Sequence, residues 1–512
     1  MNKVKTIILK SPSRGYVETL ARSDQPPDTS PECINMLPFD RDFRRNVSKR
    51  PGTLAYTVGT NVLGPGTTPY CLVQSASGAN KSIIKVTGTR QACTDGAGYI
   101  YYLRGGVIYR ADYDGANDGT LTGKPGRAGT VPTGCTWLCM WRGSLVCGGP
   151  DHNWYKSANG NPLDWDYTVT TYGHAVFSNQ SYSFMPGALD TPTICGTAFS
   201  EDILIIFGDR RIWKIQGEPT DGGGSYMLLE AALTTPRAWT FDPEGNLWFA
   251  TTSGLYKFNG VTAEPIAQNS IPAWFQYFNR STMYLSLVWD RDRHGLWMFS
   301  TMGAIASHPV YATNTHFFYD ADGGGFWPTQ FTGTFNAIHH AVIYDANAPN
   351  DRQIVYVDDG GFTTQLSSRA TGGGGTYPFS DRDGAFESTC YLWPVQPFGP
   401  DRNAMLINAS VVMGELPIGL VAGSWYAEVF FSCGDDYFES LNDNSDQEAT
   451  YAYSGTAGQG RQANVSPRIT GNVFSVLLLN SGTENLGGAV TTNNTFSFDS
   501  VSLQFVDGGL HR

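Results

Sequence analysis

Pairs of short apolar runs, separated by small polar residues, recur along the chain. The clearest pair lies at residues 247–250 and 255–258, with Thr-Thr-Ser-Gly between the two runs. Aromatic and branched residues on both sides of a small polar turn are typical of a β-hairpin. Leu247 and Phe249 share one strand face and Trp248 lies on the other, so both faces carry large apolar side chains. We therefore predict a hairpin that is covered on both faces, as in sheets that stack radially.

Similar hairpin patterns begin at residues 98, 143, 202, 245, 295 and 353. The gaps between these starts are 45, 59, 43, 50 and 58 residues. A four-stranded propeller blade takes about 40–50 residues, and the longer gaps leave room for loops. We predict an all-β protein with a β-propeller of about six degenerate blades, although five or seven blades also fit. A β-sandwich built from regular hairpins is the alternative architecture.

The pattern changes at both ends of the chain. Prolines at positions 26, 27, 31, 38 and 51 interrupt the first 60 residues, which predicts an irregular, extended segment. Hairpin spacing stops at a glycine tetrad, residues 372–375, and alternating strand patterns follow it. A one-residue slip in the alternation at 496–505 predicts a bulge. We assign an N-terminal extended arm (1–60), a β-propeller (61–370), a Gly-rich linker (371–390) and a C-terminal β-sandwich (391–512).

Composition is consistent with this assignment and excludes several classes of protein. Only 16% of the residues are charged and 59 are glycine, which suits an all-β protein with many turns. The net charge of −12 argues against tight nucleic-acid binding, which needs clustered Lys and Arg. Nine scattered cysteines favour reduced thiols over a secreted disulfide framework. We find no signal-peptide core and no run of 18 apolar residues, so we expect neither a cleaved signal nor a membrane span.

The densest basic patch of the chain lies in the N-terminal segment. It contains Arg41, Arg44, Arg45, Lys49 and Arg50. Such a patch suits contact with an acidic neighbour in an assembly, and a solvated basic loop explains it equally well. We take these five residues as candidates for an assembly interface.

Several short motifs resemble the tail hub (nozzle) proteins of short-tailed bacteriophages. Asn35-Met-Leu-Pro, a basic stretch and then Lys49-Arg-Pro-Gly-Thr53 resemble the opening of that family. The hairpin at 203–217, the segment 263–270 before a short helix expected at 271–279, and the Tyr-Asp and Phe-Trp pairs at 319–327 follow in the family's order. Glu264 stands where the family has Ser. A turn at 431–437 matches with Gly and Asp exchanged, so the resemblance covers most of the chain.

The resemblance implies a structural virion protein that is made in the host cytoplasm and incorporated into the tail. It implies a ring of six copies below the portal and its adaptor protein, with contacts to tail fibres or spikes and to a plug or needle. Genomic double-stranded DNA would pass through the lumen without specific binding. The charge of −12 per subunit supports this independently, because an acidic lumen repels phosphate.

Propellers also host glycoside hydrolases, which need two closely placed carboxyl groups. Asp290 and Asp292 share a strand face before Arg293, but a solvated hairpin tip explains them more simply. The segment 157–165 matches a sialidase Asp-box only in part. We find no arginine triad and no nucleophile or phosphate-loop motif. We therefore predict no catalytic site.

Candidate metal ligands also have simpler explanations. The stretch Asp112, Asp114, Asn117, Asp118 lacks the order and the distal Glu of a calcium loop, and the acidic turns at 435–436 and 442–444 are interpreted in the same way. Cys135 and Cys139 share a strand face, but no second Cys or His pair follows at zinc-site spacing. His339 and His340 are adjacent and point to opposite faces of a strand. We predict no metal and no cofactor.

The sequence is compatible with two other functions. One is a receptor-binding or glycan-cleaving phage tail propeller, in which Trp154, Trp165 and Trp327 stack on sugars. The other is a host-cell propeller that acts as a protein-interaction scaffold. Binding to a glycan array, or depolymerisation of a polysaccharide, would favour the first.

Overall fold

A computed structural model of the chain describes most of its length. The described residues are 4–18, 26–39, 45–50, 53–55, 62–66, 69–77, 80–89, 91–150, 152–169, 171–178, 189–266, 268, 270–301, 315–331, 337–344, 352–358, 363–366, 387–414, 427–437, 440, 447–453, 461–480, 484–486, 489–491 and 496–510. The predicted glycine tetrad and the linker around it lie outside these residues. No helix in the described parts of the chain is both long and apolar enough to cross a membrane.

Short strands occupy the N-terminal segment. They are β1 Val4–Lys10, β2 Cys33–Ile34, β3 Met36–Leu37, β4 Val47–Lys49 and β5 Thr53–Ala55.

The strands of the propeller follow, together with one short helix. They are β6 Val62–Leu63, β7 Tyr70–Ser77, β8 Asn80–Thr87, β9 Ala92–Thr94, β10 Tyr99–Arg104, β11 Val107–Asp112, β12 Gly119–Thr120, β13 Trp137–Trp141, β14 Ser144–Gly148, β15 Trp154–Lys156, β16 Val176–Phe177, β17 Thr193–Ala198, β18 Ile203–Gly208, β19 Ile212–Gln216, β20 Gly224–Leu229, β21 Trp239–Phe241, β22 Leu247–Thr251, β23 Gly254–Phe258, β24 Ala263–Ile266, α1 Pro272–Tyr277, β25 Leu285–Asp290, β26 Gly295–Ser300, β27 His316–Asp320, β28 Gly325–Thr329, β29 Ala337–Tyr344, β30 Arg352–Asp358 and β31 Thr363–Leu366. Helix α1 lies within the predicted interval 271–279, and its proline is in the first turn, where the missing N–H costs nothing.

These strands form seven consecutive sheets, which we number as blades 1 to 7. Blade 1 has three strands in the order β6-β8-β7, and blades 2 to 6 each contain four consecutive strands, from β9–β12 to β25–β28. Blade 7 has the order β29-β30-β31-β5, so an N-terminal strand forms its outer edge. The first strands of successive blades, from β7 and β9 to β29, lie innermost, and β29 packs against β7 to complete the ring.

The prediction of an all-β propeller is confirmed. All six hairpin starts in the sequence fall at the second strand of a four-stranded blade, between β10 and β30. Blade 1 was missed because β8 reads Asn-Lys-Ser-Ile-Ile-Lys-Val-Thr. It has no aromatic residue and no leading glycine, whereas four of the six hairpin starts, at 98, 143, 245 and 295, are glycine. The structure therefore has one sheet more than the six that the pattern predicts.

Apolar side chains from neighbouring blades pack face to face. Separate clusters join blades 1 and 2, blades 2 and 3, blades 3 and 4, and blades 7 and 1. Every residue of β22 is buried, as predicted for a hairpin covered on both faces. Trp137 shows how close this packing is, because a Cβ added to Gly148 or Gly196 would lie 2.0 or 2.4 Å from its indole ring. Only glycine fits at these two positions.

A two-sheet sandwich follows the propeller. The strands of this part of the chain are β32 Ser388–Tyr391, β33 Arg402–Met413, β34 Ala427–Gly434, β35 Gln447–Tyr453, β36 Arg461–Val465, β37 Ile469–Gly471, β38 Val473–Asn480, β39 Glu484–Leu486, β40 Ala489–Thr491 and β41 Ser497–Leu510. One sheet has the order β3-β4-β41-β33-β36, with β1 also on β41 and β37 also on β33, and the other has the order β2-β32-β38-β34-β35. Strands β39 and β40 form a separate two-stranded sheet. The predicted C-terminal β-sandwich is confirmed.

The predicted bulge is also found in β41. Met413 pairs with Phe498, whereas Val412 pairs with Ser500, so Asp499 is the extra residue. This slip lets Phe498 and Val501 both face the core, and both are fully buried.

The N-terminal segment contributes strands to both units of the fold. β1 and β4 pair with β41, β2 pairs with β32, and β5 pairs with β31. The expected irregular arm is thus largely hydrogen-bonded to later parts of the chain. The predicted boundaries at 60, 370 and 390 stay predictions. One apolar cluster continues from blades 4 to 7 into the sandwich.

Candidate functional site: the Asn35–Arg50 junction

The five predicted interface residues do not form one exposed patch in the described structure. Arg41 and Arg44 lie outside the described residues. Lys49 ends β4, where its backbone pairs with Met36, and its side chain is not described. Arg45 and Arg50 are described, and both contact other parts of the same chain.

The guanidinium of Arg50 is buried, with 0% of the residue exposed. Its Nε donates to Oδ1 of Asn35 at 3.0 Å and its Nη2 donates to the carbonyl of Gln330 at 2.6 Å. The guanidinium carbon also lies 4.2 Å from the ring centre of Phe331. A buried cation is tolerated when hydrogen bonds and an aromatic face replace its hydration. Arg50 therefore has no surface to offer a partner, and its inclusion in the predicted interface is not supported.

Asn35 connects three parts of the chain. Its φ of 58° is in the left-handed region, which Asn tolerates better than most residues. Its Oδ1 accepts the backbone N–H of Gln330 at 2.7 Å, and its Nδ2 donates to the carbonyl of Glu387 at 2.7 Å. Its backbone N–H donates to Pro328, and its carbonyl accepts the N–H of Arg50. The N-terminal segment is thereby joined to blade 6 and to the residue that precedes β32.

Arg45 makes a second attachment to blade 6. Its guanidinium pairs with Asp320 and, at 2.6 Å, with Asp322, and it lies 4.6 Å from the ring centre of Phe39. Asp320 is fully buried. Burial raises the pKa of its carboxyl, and Arg45 opposes that shift. Arg45 is partly exposed, so it remains a candidate interface residue with an intramolecular role already assigned.

We call Asn35, Arg45, Arg50 and their partners on blade 6 the Asn35–Arg50 junction. Sequence reasoning identified Asn35 and Arg50 as parts of a motif but did not bring them together. One local signal for the backbone conformation of Asn35 was available in the sequence. Asn is among the few residues that favour positive φ, and here it is followed by three apolar or proline residues. Long-range pairing of residue 35 with residues 330 and 387 has no local signature.

The predicted carboxylate pair lies at the turn between β25 and β26, where Asp292 is exposed and Asp290 is buried. Asp290 is 5% exposed and accepts the backbone N–H groups of Asp292 and Arg293. It also accepts Nε1 of Trp297 at 2.9 Å and pairs with the Arg293 side chain at 2.8 Å. The expectation of a solvated hairpin tip holds for Asp292 and is wrong for Asp290. Asp290 stabilises the turn between β25 and β26.

The candidate calcium-loop residues bond to one another and to a tyrosine. Nδ2 of Asn117 donates to the carboxylate of Asp112 at 2.5 Å, and Asp114 accepts the N–H of Ala116. The hydroxyl of Tyr102 donates to Asp118 at 2.6 Å. Among the residues that the structure describes, no three His, Cys, Asp or Glu side chains are grouped to hold a metal ion. The acidic turn at 442–444 and the side chains of His339 and His340 lie outside the description.

The sequence pattern places Cys135 and Cys139 on one strand face, but the cysteine that Cys135 contacts is Cys147. The Cys135 thiol lies 3.4 Å from Sγ of Cys147 on β14, whereas Cys139 is on β13 and packs between blades 3 and 4. All three thiols are buried and free. Burial raises the pKa of the Cys147 and Cys139 thiols well above the usual value, which keeps them protonated and unreactive.

The three tryptophans proposed as sugar platforms lie in the core. Trp154, Trp165 and Trp327 are exposed by 0%, 1% and 0%. Their rings fill spaces between sheets and cannot stack on a ligand. That part of the glycan-binding hypothesis is wrong, because aromatic residues of a radially stacked sheet are covered on both faces.

A polar cleft of about 190 Å³ lies beside the loop between β15 and β16, and its lining includes Arg127, Asp164, Asp166, Tyr172 and His174. Asp164 pairs with Arg127 at 3.4 Å and with Lys124 at 3.8 Å. Hydrogen bonds from the hydroxyl and backbone N–H of Thr168 lower the pKa of Asp166. A general acid needs a raised pKa, so Asp166 is unsuited to that role. Tyr172 is 66% exposed.

No family model matches the chain, and no curated protein matches it. Several solved structures have some similarity to the chain. The extracellular domain of a putative hybrid two-component system from B. thetaiotaomicron is 12% identical over 69% of this chain and 42% of its own, with a TM-score of 0.35. The WD40 β-propeller domain of Doa1 is 11% identical over 63% and 99%, with a TM-score of 0.35. A calcium-binding regucalcin from Agrobacterium tumefaciens is 13% identical over 60% and 95%, with a TM-score of 0.32. Similarity at this level carries no argument about function, and the propeller is assigned from the sheet order of the chain itself.

Proposed function

We propose that this protein is a structural component of a virion, the tail hub or nozzle of a short-tailed bacteriophage. One observation supports the proposal most directly. The motif residues that resemble the opening of the hub family, Asn35 and Arg50, meet in a buried hydrogen-bonded junction. They hold the N-terminal segment against blade 6 and next to β32. A motif with this placement serves mechanical attachment rather than chemistry.

The architecture suits a part that resists force. Four of the five strands before residue 60 pair with strands from residue 363 onward. The ends of the chain are therefore held by backbone hydrogen bonds, which share a load applied along the strands. The apolar cluster that continues from the propeller into the sandwich opposes their separation.

The proposed assembly is a ring of six copies with the adaptor protein above it and with fibres, spikes and a plug or needle as further partners. The charge of −12 on each copy would make a lumen that repels the DNA backbone. The DNA would then pass without being retained by phosphate contacts.

The first experiment locates the chain in the particle. Virions that carry a C-terminal tag on this chain would be labelled and imaged by negative-stain electron microscopy. Label at the tail vertex, with rings in isolated tails, is the expected result. Label on peripheral fibres, or intact particles without label, would reject the hub proposal.

A second experiment tests the part of the basic patch that remains a candidate interface. Arg41→Glu combined with Arg44→Glu should leave a folded monomer and block tail assembly. Arg110→Glu is the matched control, because Arg110 on β11 stacks on Tyr99 in blade 2 and should assemble normally. Normal particles from the double variant would remove the patch from the interface.

The second candidate function, a receptor-binding tail propeller, is favoured by the polar cleft beside Tyr172. An exposed aromatic ring next to carboxylate and guanidinium groups can contact a sugar. Binding of the pure protein to a glycan array should be lost in Tyr172→Ala and kept in Tyr226→Ala, whose parent residue is 56% exposed on blade 4. An array without binding would exclude this candidate.

A further inference from the structure

An arginine lies at the axis of the propeller, where several blades meet. Arg237 directly precedes blade 5, and it bridges to Ser286 of blade 6 through the backbone. Its Nη2 lies 3.4 Å from the carbonyl of Ala92 in blade 2. Its charge also acts on the thiols of Cys71 in blade 1 and Cys195 in blade 4. Arg237 therefore lies where blade 5, blade 6 and the opposite blade 2 approach one another, which places it near the centre of the ring.

The guanidinium of Arg237 has few partners among the described residues. The contact with Ala92 is at the upper limit of hydrogen-bond length. Its Nε is buried and has no hydrogen-bond partner within the described part of the chain. No ion pair of Arg237 occurs there either. The residue is partly exposed, so solvent reaches the rest of its side chain.

The carboxyl groups that the structure describes on the innermost strands and in the segments leading into β17 and β21 are paired with other cations. The seven innermost strands contain one carboxyl, Asp290, which lies at the far end of β25 and pairs with Arg293. Asp190 and Glu230, in the segments that lead into β17 and β21, both pair with Arg211. The segments before β25 and β29, residues 278–284 and 330–336, contain no Asp or Glu.

The cysteines around Arg237 do not neutralise its charge. Burial raises the pKa of Cys71 to about 12 and that of Cys195 to about 11, although Arg237 acts in the opposite direction. Burial raises the pKa of Cys93 as well. All three thiols are protonated near neutral pH, so none of them supplies a negative charge to Arg237.

We infer that Arg237 binds a small oxyanion, a phosphate or carboxylate group, at the end of the propeller axis where the innermost strands begin. A guanidinium presents donors that match two oxygens of such a group at once. The apolar walls of the surrounding strands lower the local dielectric constant and strengthen the attraction. This inference is independent of the proposed hub function, because it needs only one folded chain.

Isothermal titration calorimetry of the full chain tests the inference. Inorganic phosphate and acetate, each at constant ionic strength and pH 7.5, distinguish a phosphate ligand from a carboxylate ligand. We expect saturable binding of one anion per chain. Arg237→Gln should weaken this binding by about tenfold or more, since a charge-assisted contact is lost. Arg110→Gln, which removes a cation from the outer part of blade 2, should leave binding unchanged.

Two results would overturn the inference: wild-type protein that binds neither anion, or equal affinities for wild type and Arg237→Gln. Should Arg237→Gln fail to fold, Arg237→Lys replaces it. That variant keeps the charge but not the paired donors, so its affinity should be measurably lower than that of wild type. An affinity identical to wild type would count against the site.

Discussion

Asn35 combines a strained backbone conformation with a buried side chain that forms hydrogen bonds with three other residues. Its φ is 58°, and its amide bonds to Arg50, Gln330 and Glu387. The two properties contribute separately to stability, because glycine can adopt the backbone conformation but cannot replace the amide.

We expect Asn35→Ala to lower the free energy of unfolding by about 3 kcal/mol, from left-handed strain of about 1–2 kcal/mol and from unsatisfied buried partners. Asn35→Gly should cost about 1 kcal/mol less, since it removes the strain alone. Urea unfolding of the two variants measures the difference. Equal losses would show that the backbone conformation carries no cost.

His316 is a neutral histidine in the core beside Arg50. Burial, followed by the charge of Arg50, lowers its pKa from 6.5 to about 3. The N–H of Ser300 donates to its Nδ1 at 2.9 Å, which requires that nitrogen to be unprotonated. The unfolded chain binds a proton below pH 6.5, whereas the folded chain does not do so until about pH 3.

This difference should make His316 a source of acid instability. Its contribution is fully present above pH 6.5 and is lost as the pH falls toward 3, with a limiting slope of about 1.4 kcal/mol per pH unit. His316→Asn keeps an acceptor for Ser300 and removes the titration. Between pH 7 and pH 4.5, the unfolding free energy of wild type should therefore fall by about 2–3 kcal/mol more than that of the variant. Parallel curves would contradict the assignment.

At the scale of elements, β5 closes the propeller. Residues Thr53–Ala55 form the outer edge of blade 7 against β31, whereas every other strand of that blade lies between residues 337 and 366. The hydrogen bonds between β5 and β31 therefore join a strand that precedes blade 1 in the sequence to the last blade of the propeller. The strand is only three residues long, so each backbone hydrogen bond in it matters.

Leu54→Pro combined with Ala55→Pro should open this edge. Consecutive N–H groups of an edge strand point in opposite directions, so the pair removes a donor to β31 whichever residue supplies it. We expect a loss of about 3 kcal/mol or more. Hydrogen exchange should become faster in β31, with β17–β20 of blade 4 as the internal control. Unchanged exchange in β31 would argue that β5 does not close the blade in solution.

At the scale of the whole molecule, the propeller and the sandwich share one core. A continuous apolar cluster contains Trp297 and Phe318 of blade 6 together with Leu406 and Phe505 of the sandwich. Strands β2 and β3 lie between the two units and contact β28. Two units that are joined in this way do not lose their packing independently.

Calorimetry should accordingly record one cooperative unfolding transition, with equal calorimetric and van't Hoff enthalpies. Arg50→Met, which breaks the junction without adding charge, should lower the midpoint of that transition and leave it single. Two resolved peaks in the wild-type protein would show that the propeller and the sandwich unfold separately.

Local sequence pattern determined the strands and their order. Alternation and small polar turns located six hairpins and the bulge in β41, because these features depend on residues close together in the chain. The helix at Pro272–Tyr277 was expected from the resemblance to the hub family. The same pattern missed blade 1, whose second strand alternates with lysine and serine. It also overestimated the exposure of tryptophan, since hydrophobicity does not tell how many faces of a sheet are covered.

Only the tertiary structure decided which distant residues meet. The pairing of β1 with β41, the closure of blade 7 by β5 and the contact of Asn35 with Arg50, Gln330 and Glu387 join residues 15 to about 500 positions apart. Such contacts follow from the packing of whole sheets and leave no local periodicity. Burial then gave Arg50 a structural role and left Arg237 without a counter-charge among the described residues. Both arginines look alike in the sequence, and their surroundings distinguish them.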